Sequence, residues 1–165
     1  GIRSALDAAP VRARITLSGY EGSELLVGRL LVEAGADLRY VGSACPRSEW
    51  AEADRQWLEA HGVQVNFRAS LEEDKAAVDE YRPELAVGTT PVVQYAKERG
   101  LPGLYFTNLI SARPLMGPAG AGSLSQVINT AVGGRERFTR MEAFFHGVGS
   151  GDEAGIQPRP GVAAC

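Results

Sequence analysis

Between Ala13 and Gly122 the chain repeats one pattern five times: a short apolar run, a turn built from Gly, Ser, Thr or Pro, and then a longer stretch. In the first four repeats that longer stretch is helical in character and is stopped by Gly or Pro. Strand-length runs alternating with helix-length runs are the pattern of βα units. Such units bury their apolar strands in a parallel sheet with helices on both faces. The expected fold class is therefore α/β, a Rossmann-like three-layer domain with a mostly parallel sheet of about five strands.

The individual units read as follows. Ala13 to Leu17 is a strand, Ser18 to Ser23 a turn, and Glu24 to Glu33 a helix stopped at Gly35. Asp37 to Val41 is the second strand, with a turn over Gly42 to Pro46 and a helix from about Ser48 to His61, where Gly62 supplies the C-terminal stop. Val63 to Phe67 alternates as a third strand. Ser70-Leu71-Glu72-Glu73 is a capping box, whose hydroxyl and carboxylate satisfy free helix amides, and it opens a helix to about Tyr81, closed by Pro83. Leu85 to Gly88 is a buried strand, Thr90-Pro91 an N-cap followed by Pro at the first helical position, and Gly100 the end of that helix. Leu104-Tyr105-Phe106 is the fifth strand. A stretch from Thr107 to Gly122 with five Gly or Pro residues reads as a long loop before a helix at about Ser123 to Val132, and a last amphipathic helix follows at about Arg135 to Phe145.

This gives a lead-in over 1–12, one domain over 13–146, and a Gly-, Pro- and Ala-rich tail over 147–165 that is expected to be loosely ordered. Right-handed crossovers place all β-to-α turns on one edge of the sheet. That edge is where a ligand is expected: Gly19 to Ser23, Gly42 to Pro46, Ala69-Ser70, Gly88 to Pro91 and Thr107 to Gly122.

Composition excludes several partners. The net charge of −3 gives no clustered cationic field for nucleic acid or an anionic membrane surface. No apolar run approaches the ~20 residues of a membrane span, and the start, Gly1-Ile2-Arg3-Ser4, has neither a Met nor a signal sequence. The expectation is a piece of a longer, cytoplasmic protein. The two cysteines, Cys45 and Cys165, lie far apart without CxxC or Cys/His spacing, so no metal site is read in this chain.

The first turn has glycines bracketing a strand-to-helix junction, yet it does not fit a dinucleotide fingerprint. Tyr20 and Glu21 stand where small residues must let a pyrophosphate meet the backbone, and the Glu21 charge repels phosphate. There is no Gly-Lys-Ser/Thr triplet for ATP and no Gly-x-Ser-x-Gly elbow. His61 and His146 fall near helix ends, where a solvated or capping role is usual. Cys45 reads as a small buried residue, although its place at the edge groups it with Tyr20, Glu21, Thr89 and Thr90 as edge-lining. Catalytic residues are not identified.

The Thr107 to Gly122 stretch is the strongest candidate site, because a long structureless connection in a compact domain usually has a function. Thr107, Asn108, Ser111 and Arg113 offer hydrogen bonds, Leu109, Ile110, Leu115 and Met116 offer apolar surface, and Gly117 allows close approach. Two roles fit this character: a pocket for a large, flat, mostly apolar ligand bearing carboxylates, or a packing surface for another subunit.

The runs Tyr20 to Ala36, Tyr40 to Pro46 (YVGSACP), Val87 to Pro91 (VGTTP) and above all Phe106 to Gly117 (FTNLISARPLMG) resemble the C-terminal third of Y subunits of the chlorophyllide a reductase family, within the nitrogenase-like component 1 oxidoreductases. The resemblance covers about residues 14 to 150. It implies a fold of nitrogenase component 1 type and a fragment of an ATP-dependent iron–sulfur enzyme that reduces the C7=C8 bond of chlorophyllide a in bacteriochlorophyll synthesis. It further implies a Z subunit as partner, a [4Fe-4S] cluster held by the full subunit pair through N-terminal cysteines absent here, and an iron-protein-like X subunit carrying ATP-Mg. Aligned on Pro114 and Gly117, the metal-cofactor histidine of nitrogenase itself falls at Thr107, so no second metal centre is expected. The vacated space then suits a tetrapyrrole, with substrate contacts from Thr107, Asn108, Leu109, Ser111, Arg113, Met116 and Gly117, and Arg113 facing a propionate. The alternatives are a non-catalytic assembly domain of another nitrogenase-like complex, such as protochlorophyllide reductase, and a nucleotide-binding Rossmann domain like half of a glycosyltransferase.

Overall fold

The computed structural model describes residues 1–111 and 117–134. The elements run α1 (Ile2–Ala8), β1 (Arg14–Gly19), α2 (Glu24–Glu33), β2 (Asp37–Ser43), α3 (Glu49–Ala60), β3 (Gln64–Phe67), α4 (Leu71–Tyr81), β4 (Leu85–Gly88), α5 (Thr90–Glu98), β5 (Gly103–Tyr105), α6 (Phe106–Ser111) and α7 (Gly117–Gly133). The five strands form one sheet in the order β3-β2-β1-β4-β5, and every neighbouring pair is parallel. The expected α/β class and parallel sheet are therefore present. β1 lies at the centre, and the chain reverses its direction of growth between β1 and β4, the junction where open α/β sheets place their ligand crevice.

Alternation along the central strands separates two cores. Ile15 and Leu17 of β1, with Leu85 and Val87 of β4, join the large cluster that includes Val27 and Leu31 of α2 and Leu124 and Ile128 of α7. Ala86 of β4 faces the other way, into a smaller cluster with Val78 of α4 and Val92 and Ala96 of α5. Burying a side chain such as Leu31 or Ile128, each fully enclosed, contributes about 1.5–3 kcal/mol. Gly28 lets α2 lie close on β2, since a Cβ there stands 3.1 Å from Val41 Cγ2 and 3.2 Å from Leu38 Cδ2.

Most element boundaries follow the sequence reading; α2, for instance, spans Glu24–Glu33. Three differ. Residues 2–8 are helical rather than a plain lead-in. The N-cap of α5 is Thr89, with Thr90 the first helical residue, because the chain turns one residue earlier than the Thr90-Pro91 pairing suggests. The long loop over Thr107 to Gly122 is mostly helix: α6 occupies 106–111 and α7 starts at Gly117, not Ser123. The reason is packing. The small residues of α7 let α1 come close, with Gly122 3.7 Å from the Ala5 Cβ and Gly1 3.3 Å from Pro118 Cγ, measured from a Cβ built on each glycine. The helix expected over 135–145 and the tail lie outside the described residues.

The capping box at α4 forms as expected. Ser70 Oγ accepts from the Glu73 amide at 3.2 Å while Glu73 Oε2 accepts from the Ser70 amide at 2.7 Å and the Ser70 hydroxyl at 2.9 Å, and the two bonds donated by Ser70 hold the Glu73 carboxyl below its ordinary pKa. Ser70→Ala is expected to cost about 1 kcal/mol, checked by the urea midpoint of the protein; an unchanged midpoint rejects the contribution.

Candidate functional site

The β1–α2 turn is built around a carboxylate that the sequence reading did not single out. Glu24, the first residue of α2, is 0% exposed. Its Oε1 accepts from the Glu21 amide at 2.6 Å and the Gly22 amide at 3.2 Å, and its Oε2 from the Gly22 amide at 3.1 Å and the Ser43 hydroxyl at 2.9 Å. Successive amides in a turn leading into a helix form the kind of nest that binds an anion, as phosphate is bound in dinucleotide-binding folds. Here the chain's own side chain fills it. The close approach requires glycine at 19, where a Cβ stands 2.6 Å from Glu24 Oε1 and 3.0 Å from Phe106 Cδ1. Gly22 takes a φ of +82°, which presents its amide to the carboxylate at no steric cost.

Sequence reasoning therefore rejects phosphate at this turn for an incomplete reason. Glu21 is exposed and contributes its backbone amide, whereas Glu24 takes up the donors. The available signal was an acidic residue at the first position of an otherwise apolar helix. The third partner of Glu24, Ser43, lies 19 residues further on and is visible only in the fold.

The neighbouring turns are tied to this one. The Ala44 amide donates to the Gly19 carbonyl and the Arg68 amide to the Cys45 carbonyl. The Cys45 thiol donates to the Tyr20 carbonyl at 3.6 Å, and its amide to Ser43 Oγ at 3.3 Å. Tyr20, Glu21 and Cys45 thus form one rim, with Tyr20 56% exposed. Thr89 and Thr90 begin where β4 runs alongside β1; Gly88 sits against Ser18, a Cβ on it standing 2.7 Å from the Ser18 hydroxyl oxygen. Phe106 packs at Gly19 and brings the start of α6 to the same edge. On α6, Thr107 is half-buried and Asn108 exposed, whereas Leu109 belongs to the large core. Ser111 ends α6 and Gly117 begins α7. Arg113 and Met116 lie outside the described residues.

Beneath the rim, on the α4 side of the sheet, the Tyr40 hydroxyl donates to Asp74 Oδ1 at 2.9 Å inside the protein. Burial raises the Asp74 carboxyl to about 6; the Tyr40 hydrogen bond opposes the rise, and the charges of Glu73 and Glu24 add to it. Burial, and then the Asp74 charge, push the Tyr40 phenol well above its ordinary value. His61 caps the end of α3 and stacks on Trp57, with ring centroids 3.8 Å apart.

Among the described residues no three His, Cys, Asp or Glu side chains converge as metal ligands, and Cys45 is the free cysteine found there. These residues do not fit an iron–sulfur cluster. No described helix is long and apolar enough to cross a membrane. Grooves of about 500 Å³ and about 360 Å³ lie elsewhere, the first lined by residues of α1, α2 and α3 and the second by Leu104 and the α7 face.

A parallel sheet doubly wound about β1, with an internal carboxylate occupying the turn before α2, defines a Rossmann-like domain whose first β–α turn is not of the dinucleotide type. Residues 6–132 match the profile of the nitrogenase component 1 type oxidoreductases, and the chain belongs to that family. It is 68% identical over 155 residues to the chlorophyllide reductase 52.5 kDa chain of Cereibacter sphaeroides and 64% identical over 155 residues to that of Rhodobacter capsulatus, in each case over 94% of this chain. The chain spans 31% of the length of each of these relatives. A solved structure titled "Nitrogenase Cp1 at pH 6.5" superposes with a TM-score of 0.62 at 17% identity, covering 96% of this chain and 34% of that one, which shows the shared fold.

Proposed function

We propose that this chain is the C-terminal portion of a chlorophyllide a reductase Y-type subunit, working in the reduction of the C7=C8 bond of chlorophyllide a, and that its turn edge shapes the tetrapyrrole pocket. The observation that carries the reading is the 68% and 64% identity, over 94% of the chain, to relatives named as chlorophyllide reductase chains. The site chemistry agrees with it. Glu24 engages the Glu21 and Gly22 amides and sets a buried carboxylate where a phosphate would sit, while exposed Tyr20 and the side-chain amide of Asn108 offer flat and neutral contacts of the kind a macrocycle uses. Arg113 is assigned to a propionate.

In this reading the domain places substrate and the rest of the complex supplies electrons. The reduction adds two electrons and two protons across one C=C bond. An X-type subunit carrying ATP would supply the electrons, and the iron–sulfur cluster that the resemblance implies would be held by the Y and Z pair outside the residues described, in a cytoplasmic complex. An interface role for the helical flank is supported by exposed apolar side chains there: Trp50 is 93% exposed, Leu26 47% and Ile2 41%.

The test is a chlorophyllide titration of the assembled Y and Z pair carrying Asn108→Ala, Arg113→Ala or Met116→Ala. Arg113→Ala is expected to weaken binding about tenfold, the loss of one charge-assisted contact. Unchanged affinity in all three variants rejects the pocket and leaves the segment an assembly role.

A further inference from the structure

We propose that Glu24 is the resident ligand of an anion nest, and that it acts as a positioning residue which fixes the Tyr20 and Cys45 rim for whatever binds at this edge. Three donors, the amides of Glu21 and Gly22 and the hydroxyl of Ser43, converge on its two oxygens. They do so at the N-terminus of a ten-residue helix, in a place closed to solvent. The partial positive charge of the helix end favours an anion there. Glycine at 19 keeps the space open for the carboxylate, and Phe106 closes it from the α6 side.

The carboxylate also joins elements. Two of its donors belong to the β1–α2 turn and the third to the end of β2, so a single side chain sets the distance between the first two turns of the edge. Ser43 passes the restraint on, because its oxygen accepts from the Cys45 amide while the Cys45 thiol donates to Tyr20. Loss of the carboxylate leaves three donors without acceptors and frees the backbone that carries Tyr20. The nest so exposed has the chemistry to hold a small free carboxylate in its place.

The experiment is formate rescue of Glu24→Ala in the full-length subunit paired with its partner, with formamide at equal concentration and constant ionic strength as the neutral control. The thermal midpoint is expected to fall by several degrees and to recover with formate but not with formamide. Glu24→Gln, whose amide fills the nest and points a donor at donors, is expected to be damaged and insensitive to formate. A Glu24→Ala midpoint equal to the wild type, or a loss that formate leaves unchanged, overturns the nest.

The positioning role rests on the tetrapyrrole reading and is measured separately. Chlorophyllide affinity is expected to drop about tenfold in Glu24→Ala and to return in step with the formate-dependent midpoint. Recovery of the midpoint with an affinity that never changed overturns the positioning role. A wild-type pair that binds no chlorophyllide overturns the functional reading, while the midpoint series still decides the nest. Where Glu24→Ala does not assemble, Ser43→Ala takes its place: it keeps the carboxylate and removes the link between turns, and an affinity within error of the wild type overturns the positioning role.

Discussion

Gly42→Ala is expected to destabilise the folded chain by about 3 kcal/mol, seen as a large fall in the thermal midpoint of the full-length subunit or as its loss from the soluble fraction. A Cβ at position 42 stands 2.2 Å from Asp74 Oδ1, 2.7 Å from the Tyr40 hydroxyl and 2.8 Å from Tyr40 Cε1. The Tyr40 ring is 1% exposed and has no space to swing into. β2 cannot step aside either, since Gly42 is paired to Ser18 of β1 on one side and Asn66 of β3 on the other. The methyl therefore either separates the Tyr40 and Asp74 pair or strains the strand. Overpacking a tight core costs about 1–3 kcal/mol, and a buried polar group left without its partner costs about 1–3 kcal/mol more. Gly28→Ala is the matched control. Its Cβ meets only methyl groups, Val41 Cγ2 and Leu38 Cδ2, at 3.1 Å and 3.2 Å, and alanine in a helix interior returns about 1 kcal/mol over glycine. Equal losses in the two variants reject the assignment of the damage to the buried pair.

The contrast between these glycines shows what the sequence can and cannot express. The βα order is legible because each element carries its own local signal: the buried run Leu85 to Gly88, the Ser70 and Glu73 box, and the periodic apolar face of Glu24 to Glu33. The C-terminal edge follows from topology alone, so Tyr20, Cys45, Thr89 and Thr90 could be placed without coordinates. Side-chain chemistry at that edge was not legible. Glu24 looks like an ordinary first-turn acid, favourable beside the helix dipole, and only the return of β2 brings Ser43 to it. Glycine misled most between 117 and 122. Counted as a breaker it argues for a loop, whereas in the fold Gly120 and Ala121 are buried and let α1 lie on α7. Brevity hid α6, a six-residue helix directly after β5 with no acidic residue in its first turn to announce it.

Asp74→Asn is expected to have the opposite sign and to depend on pH. Burial is the main cause that lifts the Asp74 carboxyl from 3.8 to about 6, with Glu73 on the same helix and Glu24 across the sheet adding repulsion and the Tyr40 hydrogen bond working against the rise. An acid whose folded-state pKa is raised favours the fold most when protonated. Its contribution is complete below about pH 4 and is lost as pH climbs through about 6. One pH unit of displacement corresponds to ~1.4 kcal/mol, so at neutral pH the wild type holds an ionised Asp74 at a cost of about 3 kcal/mol. Asparagine is never charged, and its carbonyl still accepts from the Tyr40 hydroxyl, which burial keeps from ionising in this range. The variant should therefore be more stable than the wild type at pH 8 by up to about 3 kcal/mol, with the gap closing toward pH 4 as the wild-type carboxyl takes up its proton. Urea midpoints for the two proteins at pH 4.5, 6 and 8 measure the gap directly, and titrations common to both cancel in the difference. A gap that stays constant across that range, or one that widens as pH falls, places the strain of this pair outside the Asp74 charge.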